Sequence, residues 1–374
     1  MKILIAGDFV ITHSYSASKI NKNVISLFAD SDINIINLEA PITESNSKIL
    51  KTGPNLKVDK QSTLEALKAL KVNVVTLANN HILDYGEQGV KDTLDLCEKN
   101  NIRTVGAGLN LEQASTTLHF EGKDIKIAVV NFAENEWSAA EESSAGFNPM
   151  DIIDNAEQIK AAKDIADHVI VIVHGGHEYY NLPSPRIRKQ YRFYAEQGAD
   201  IVVGHHSHCV SGNEIHNGIP IYYSLGNFIF TSPSNYEDWY EGLILEINIC
   251  DGKINCNLHP IEQKKNSYEL SLLSGKEKET VFRKISYYSS TITNDFKIMA
   301  NWDDYVAMQS KEYLNYLSPL SFIKNRYVSG FLRKLNINFS GIKGSALLLN
   351  MLRCEAHRNL SIDVIKNFLR TRNY

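Results

Sequence analysis

The sequence predicts an α/β protein, built on a mixed sheet or two stacked sheets with helices outside. Three observations predict it. Short apolar runs alternate with amphipathic segments through the first part of the chain, as strands alternate with helices. Hairpin-like pairs of apolar runs follow, around Glu121-Gly122-Lys123-Asp124 and Asp251-Gly252. Asp, Glu, Asn and His stand just past the ends of the apolar runs, segment after segment. Ligands bind at such an edge, where the carboxyl ends of strands converge.

Taken in order, the run at 3–6 leads into Gly7-Asp8, and residues 22–29 form a helix. The run at 33–36 leads into Asn37-Leu38-Glu39. Residues 63–70 read as a helix with Leu64, Leu67 and Leu70 on one face. The run at 72–77 leads into Asn79-Asn80-His81, and residues 86–100 form a helix with Val90, Leu94 and Cys97 inward. A short strand at 104–108 enters a loop, and 116–120 pairs with 125–132. Residues 156–166 and 186–196 are helical. The run at 169–173 leads into His174-Gly175-Gly176-His177-Glu178, and that at 200–203 into Gly204-His205-His206-Ser207-His208. Residues 218–230, 242–249 and 253–258 read as strands.

The chain has 374 residues and 43% hydrophobic content, enough for a sizeable core. A net charge of −4 gives no signal for nucleic acid, and none is expected as a partner. No run approaches the ~18 apolar residues of a membrane span. The first residues read as a strand rather than a signal peptide, so a cytoplasmic location is expected. Five widely spaced cysteines without a C-x-x-C pair argue against a disulfide framework. Composition changes after Gln263. Residues 1–262 are therefore expected to form the functional domain and 263–374 a basic, mainly helical appendage. From 320 to 374 there are ten Lys or Arg against Glu355 and Asp363. Interleaved apolar residues make contact with an anionic membrane face or a synthesis complex one expectation for this tail. Packing on the core is the other, and 347–352 looks like core while Lys366, Arg370 and Arg372 look like surface.

The clustered residue types suit divalent metal. Asp8, Glu39 and Asn80 offer oxygen; His174, His206 and His208 offer nitrogen. His206 and His208 lie two apart, so on a strand end they face one side and serve one metal or two neighbours. Glu39 is the candidate to bridge. Two metals ~3.5–4 Å apart would clamp a phosphoryl group and ionise a water. His81, beside Asn80, is placed to protonate a leaving oxygen, and Asp84 to orient it if the turn is helical. His177 and Glu178 line the substrate pocket or support ligands; Asn227, in Ser224-Leu225-Gly226-Asn227-Phe228, is a further substrate contact. His13 reads as an exposed loop residue. Singly, Asp8 could cap a helix, Asn79-Asn80 form a turn, and the later histidines sit on a loop. Those readings do not explain why all lie at strand ends. No Walker A, G-x-G-x-x-G or G-x-S-x-G sequence is present.

Gly7-Asp8, Asn37-Leu38-Glu39-Ala40-Pro41, Ala78-Asn79-Asn80-His81 with Asp84, the His174 segment, His206-Ser207-His208 and 224–228 together resemble the bacterial capsule-synthesis family of CapA/PgsA-like proteins. That family, named for poly-γ-glutamate capsule synthesis, is similar to the calcineurin-like metallophosphoesterases. The resemblance covers residues 1–262. It implies a four-layer α/β/β/α sandwich and two divalent ions (Mn, Fe or Zn). Asp8 and His208 would hold the first metal, Asn80, His174 and His206 the second, and Glu39 both, with His81 as the acid. Two positions depart: Val10 stands where calcineurin-like enzymes carry a histidine, and Glu39 replaces an aspartate. The first metal is then expected to be held more weakly or to take water ligands. The expected activity is metal-dependent phosphoester hydrolysis in capsule or surface-polysaccharide synthesis, on a phosphorylated small molecule, lipid-linked sugar or polymer. The alternatives are a non-enzymatic accessory role and amide chemistry on a poly-glutamate polymer.

Overall fold

A computed structural model describes residues 1–51, 53–122, 125–316 and 325–335, with positions 344, 345, 348, 349 and 352. The chain opens with β1 (Lys2–Val10), α1 (Lys22–Ala29), β2 (Ile33–Leu38), α2 (Lys60–Ala69), β3 (Val74–Thr76), α3 (Gly86–Lys99) and β4 (Arg103–Val105). There follow β5 (Ala107–Gly108), α4 (Leu111–Ala114), β6 (Leu118–Glu121), β7 (Lys126–Ala133), β8 (Gly146–Phe147), α5 (Ile152–Ile165), β9 (His168–His174), α6 (Pro185–Glu196) and β10 (Ile201–His205). The later part carries β11 (Asn213–His216), β12 (Ile219–Tyr222), β13 (Asn227–Phe230), β14 (Glu241–Cys250), β15 (Lys253–Gln263), β16 (Leu270–Leu272), α7 (Gly275–Ile292), α8 (Asp295–Tyr316) and α9 (Arg326–Lys334).

Two sheets stack. The first has the order β16-β15-β14-β1-β2-β3-β4, with β13 also paired to β1. The second has the order β11-β12-β10-β9-β7-β6. In both, the central strands are parallel and the antiparallel strands lie outside them. Strand alternation builds the layers. On β1, Ile3 and Ile5 meet Ile127, Val129, Ile170 and Ile172 of the second sheet. Leu4 and Ala6 face the other way, into a core with Val24, Phe28, Leu67 and Val90 of the outer helices α1, α2 and α3. On β9, Val169, Val171 and Val173 pack with Ile159, Ile187 and Tyr191 of α5 and α6. This is the four-layer α/β/β/α sandwich. Each fully buried Ile or Val in these layers is worth ~1.5–3 kcal/mol.

Helix starts follow their caps. Asp59 accepts from Ser62 N–H ahead of α2, Asp151 from Ile153 N–H ahead of α5, and Ser184 from Ile187 N–H with Pro185 opening α6.

Three readings change. The strand expected at 218–230 is two strands in different sheets: β12 ends at Tyr222, and the chain crosses at Gly226 (φ +67) into β13. The strand at 104–108 divides at Gly106 (φ +92), where a Cβ would lie 2.0 Å from Asn131 Oδ1. The compact unit continues past 262 to Ile298. The reason is that β16 pairs with β15, while Val281 and Ile285 of α7 complete the core between the sheets.

The second unit runs from Met299 to Tyr374, and its described part is helical. Leu349 and Leu352, expected in a core, are 56% and 49% exposed. Tyr327, Val328 and Phe331 of α9, and Leu335 just beyond it, are exposed as well. Lys366, Arg370 and Arg372 lie outside the described residues. Among the described residues, no helix is long and apolar enough to cross a membrane.

Candidate metal centre

The site begins with a close approach of two backbones. A Cβ at Gly7 would lie 1.8 Å from the Gly226 carbonyl oxygen. Only glycine there lets Asp8 N–H donate to that carbonyl at 3.2 Å. The register of β1 shifts at Asp8 against both β2 and β13, a bulge that aims the side chain into the site. Glu39 lies one residue past β2, Asn80 and His81 beyond β3, His174 ends β9, and His206 and His208 follow β10. The strand-end expectation thus brings all six metal candidates to one edge, all buried.

Their donor atoms form two groups, Asp8–Glu39–His208 and Glu39–His174–His206, each with donors within 4.8 Å of one another. Glu39 belongs to both. His208 Nδ1 is 3.2 Å from Asp8 Oδ2, and His174 Nε2 is 3.4 Å from Glu39 Oε1. His174 Nε2 also lies 3.0 Å from His206 Nδ1 and 3.2 Å from Asn80 Oδ1. His206 and His208 sit in a turn rather than on a strand. Their left-handed backbones (φ +97 and +54) spread the two rings between the two groups.

Both oxygens of Glu39 are buried without a hydrogen-bond partner among the described residues. An ionised carboxylate in that position is costly without a cation. Burial, reinforced by the charge of Asp8, pushes the Glu39 carboxyl well above the usual carboxylate range. Burial also pushes Asp8 up, but the hydrogen bond and charge of His208, with His174 and His205, hold it below that range. Burial lowers His174 to about 4 against the pull of Asp8. It would lower His208 too, yet Glu39 and Asp8 outweigh it and raise that ring to about 10. Such a set of oxygen and imidazole donors, with an orphaned carboxylate at its centre, fits divalent metal.

His81 and Asp84 form the expected pair. His81 Nδ1 is 2.6 Å from Asp84 Oδ2, in a turn closed by Asp84 N–H to the His81 carbonyl. The substrate-contact expectations fare differently. Asn227 is occupied internally: its Oδ1 meets His208 Nδ1 at 3.0 Å and its Nδ2 donates to the Trp239 carbonyl at 3.0 Å. It positions His208 and has no amide end free for substrate. His177 is half-buried, its pKa lowered by burial, with Glu134 and Arg186 as the charges that act on it. Glu178 is exposed, and its charge reaches Glu39 and His208. His13 is exposed with its ring against Tyr268, and Val10 is buried.

Three residues join the site beyond those expected. Asn37 Nδ2 donates to Asp8 Oδ1 at 2.7 Å and lies 3.1 Å from His174 Nδ1, bracing one donor from each sheet. It stands at a strand end, so the signal that marks Glu39 marks it as well. His205 ends β10, buried 3.9 Å from Asp8, with both ring nitrogens lacking a hydrogen-bond partner among the described residues. Lys51 reaches in from the loop before α2. Its Nζ is 2.5 Å from Asp84 Oδ1, 3.2 Å from His81 Nδ1 and 3.3 Å from the Asn80 carbonyl oxygen. No periodicity marks a lysine in an irregular loop.

The sequence model of a family described as bacterial capsule synthesis protein PGA_cap matches residues 2–232. The PGA biosynthesis protein CapA of Bacillus subtilis is 38% identical over 233 residues, covering 61% of this chain and 61% of that protein. The capsule biosynthesis protein CapA of Bacillus anthracis is 32% identical over 231 residues, covering 59% and 56%. The chain thus spans less than two thirds of the length of these relatives. The crystal structure of a phosphatase from Mycoplasma pneumoniae aligns with a TM-score of 0.45 and 17% identity, over 72% of this chain and 95% of that one. With the family match extending over more than half of its residues, the chain belongs to the bacterial capsule synthesis protein family.

Proposed function

We propose that this protein is a metal-dependent phosphoesterase acting on a phosphate ester in capsule or surface-polymer synthesis. The observation that carries the reading is Glu39, a buried carboxylate with no hydrogen-bond partner for either oxygen among the described residues, common to two donor groups. Asp8 and His208 would complete one metal site, and Asn80, His174 and His206 the other. Bound divalent metal supplies positive charge to phosphoryl oxygens and lowers the pKa of a water into the neutral range.

The remaining chemistry belongs to the chain. His81 Nδ1 is held by Asp84 Oδ2, which leaves Nε2 to carry a proton to the leaving oxygen. Asp84 fixes the orientation of the ring, and Lys51 fixes Asp84 in turn. Asn37 keeps Asp8 and His174 in register across the two sheets. The backbone carbonyl of Asn80, bonded to Ser138 Oγ and Lys51 Nζ, anchors the turn that carries both Asn80 and His81.

The test is hydrolysis of p-nitrophenyl phosphate and bis-p-nitrophenyl phosphate by protein stripped of metal, then restored with Mn, Zn or Fe. Turnover is expected only with metal. His81→Ala is expected to lower kcat by about 10²–10⁴-fold while metal stays bound. Absence of turnover with every metal, in protein that binds it, would overturn the reading in favour of an accessory role or amide chemistry.

A further inference from the structure

Between the donor groups and solvent, the side chains change character. Tyr179 and Tyr236 stack with ring centroids 4.6 Å apart and planes at 29°. They remain 36% and 48% exposed. Tyr179 also lies 6.1 Å from His208 and 6.1 Å from the buried Trp239, which is itself 4.9 Å from His208. A continuous aromatic surface therefore runs from a metal-donor histidine out to water.

Tyr179 is held there against its backbone preference. Its φ is +62, a region that bulky residues avoid, at a cost on the order of 1–2 kcal/mol. Its N–H donates at 2.8 Å to the Ser207 carbonyl, between His206 and His208, so the ring is fixed to the turn that carries the donors. Strain of this kind collects at ligand clamps, where the surrounding structure over-determines it. Core packing does not account for it, because the ring is not in the core.

The shape and chemistry of this surface select a ligand. Two rings stacked on each other leave a ledge, rather than the two-sided slot that grips a planar base. Glu178, the neighbour of Tyr179 in the chain, is exposed, and its charge is felt by Tyr179, Glu39 and His208. A carboxylate only accepts hydrogen bonds, so it matches hydroxyl groups. An aromatic ledge packs well against the C–H face of a saturated ring. We propose that Tyr179 and Tyr236 form the sugar subsite of this centre: the ring of a sugar phosphate lies on the ledge while its phosphate meets the donor groups. The proposal rests on the phosphoester reading above and adds to it the substrate class.

Binding tests it without turnover. The full chain, restored with Mn, is titrated calorimetrically with inorganic phosphate and with the non-hydrolysable phosphonate analogues of glucose 1-phosphate, glycerol 3-phosphate and AMP. The glucose analogue is expected to bind about tenfold more tightly than the acyclic glycerol analogue. Tyr236→Ala, on an exposed ring, is expected to erase that preference and leave the Kd of inorganic phosphate within about twofold. Tyr236→Phe is expected to keep the preference. Equal affinity for the glucose and glycerol analogues, with phosphate bound, would overturn the sugar subsite and leave the phosphoester reading standing. Tighter binding of the AMP analogue, lost in Tyr236→Ala, would reassign the ledge to a base and overturn the proposal. Failure of the metal-loaded protein to bind phosphate at all would overturn both readings.

Discussion

Two buried glutamates, one in a strand of the second sheet and one just past a strand of the first, meet opposite surroundings. Glu214 on β11 is gripped by Arg192, whose Nε and Nη2 donate at 2.8 and 2.6 Å, and by the Tyr223 hydroxyl at 2.5 Å. Burial alone would raise its carboxyl, but the Arg192 and Tyr223 bonds hold it below the usual range. Among the described residues Glu39 has no such bond to either oxygen, and burial pushes its carboxyl up. The same side chain at similar burial is in one place a brace between α6 and the sheet edge, and in the other a carboxylate without a hydrogen-bond partner among the described residues, common to two groups of candidate metal donors. What separates structure from function here is the completeness of the partners, since burial is shared.

That contrast can be broken or sharpened by substitution. Glu214→Ala removes a charged bidentate pair and is expected to cost about 3 kcal/mol in urea denaturation at pH 7, with metal content unchanged. Because the folded-state pKa of Glu214 is depressed, this stabilisation is complete above the ordinary glutamate pKa of about 4.3. It is lost as pH falls through the lower folded value. The gap between wild type and Glu214→Ala should therefore narrow as pH falls below the ordinary glutamate value of about 4.3; an unchanged gap would show that lost packing, rather than the charge, sets the cost. Asn37→Ala leaves every proposed metal donor in place but unbraces Asp8 and His174, and is expected to weaken metal binding about 10–100-fold. Unchanged affinity in a metal titration would show that the two sheets hold the donors without it.

The carboxyl ends of the parallel strands were the legible part of this chain. An apolar run followed by Asp8, Glu39, Asn80, His174 or His206 encodes both a buried strand and what stands at its edge, so the residues that gather at that edge could be read without coordinates. Residues whose role depends on a crossing between layers could not. Asn227 looked like a substrate contact because 218–230 reads as one apolar strand. Periodicity is blind to the switch of sheets at Gly226, which places Asn227 beside Asp8 and turns its amide to His208. His205 was read as standing just past the end of the 200–203 run, yet the β10 ladder continues through it and buries it. Lys51 gave no signal, since its place is set by a bond from an irregular loop to Asp84, 33 residues away in the chain. The end of the compact unit was read too early. The loss of motifs after Gln263 marks where the chemistry stops, while Val281 and Ile285 still fill the core.

The central claim is that Glu39 is shared by two metal sites. Its most direct test is the metal content and binding isotherm of purified protein titrated with Mn or Zn, for wild type, Glu39→Gln, Asp8→Asn and His206→Ala, each checked for folding by thermal melting. The account predicts two ions per wild-type chain, loss of both in folded Glu39→Gln, and loss of one in each of the other two variants. Two ions retained by folded Glu39→Gln, at wild-type affinity, would contradict it.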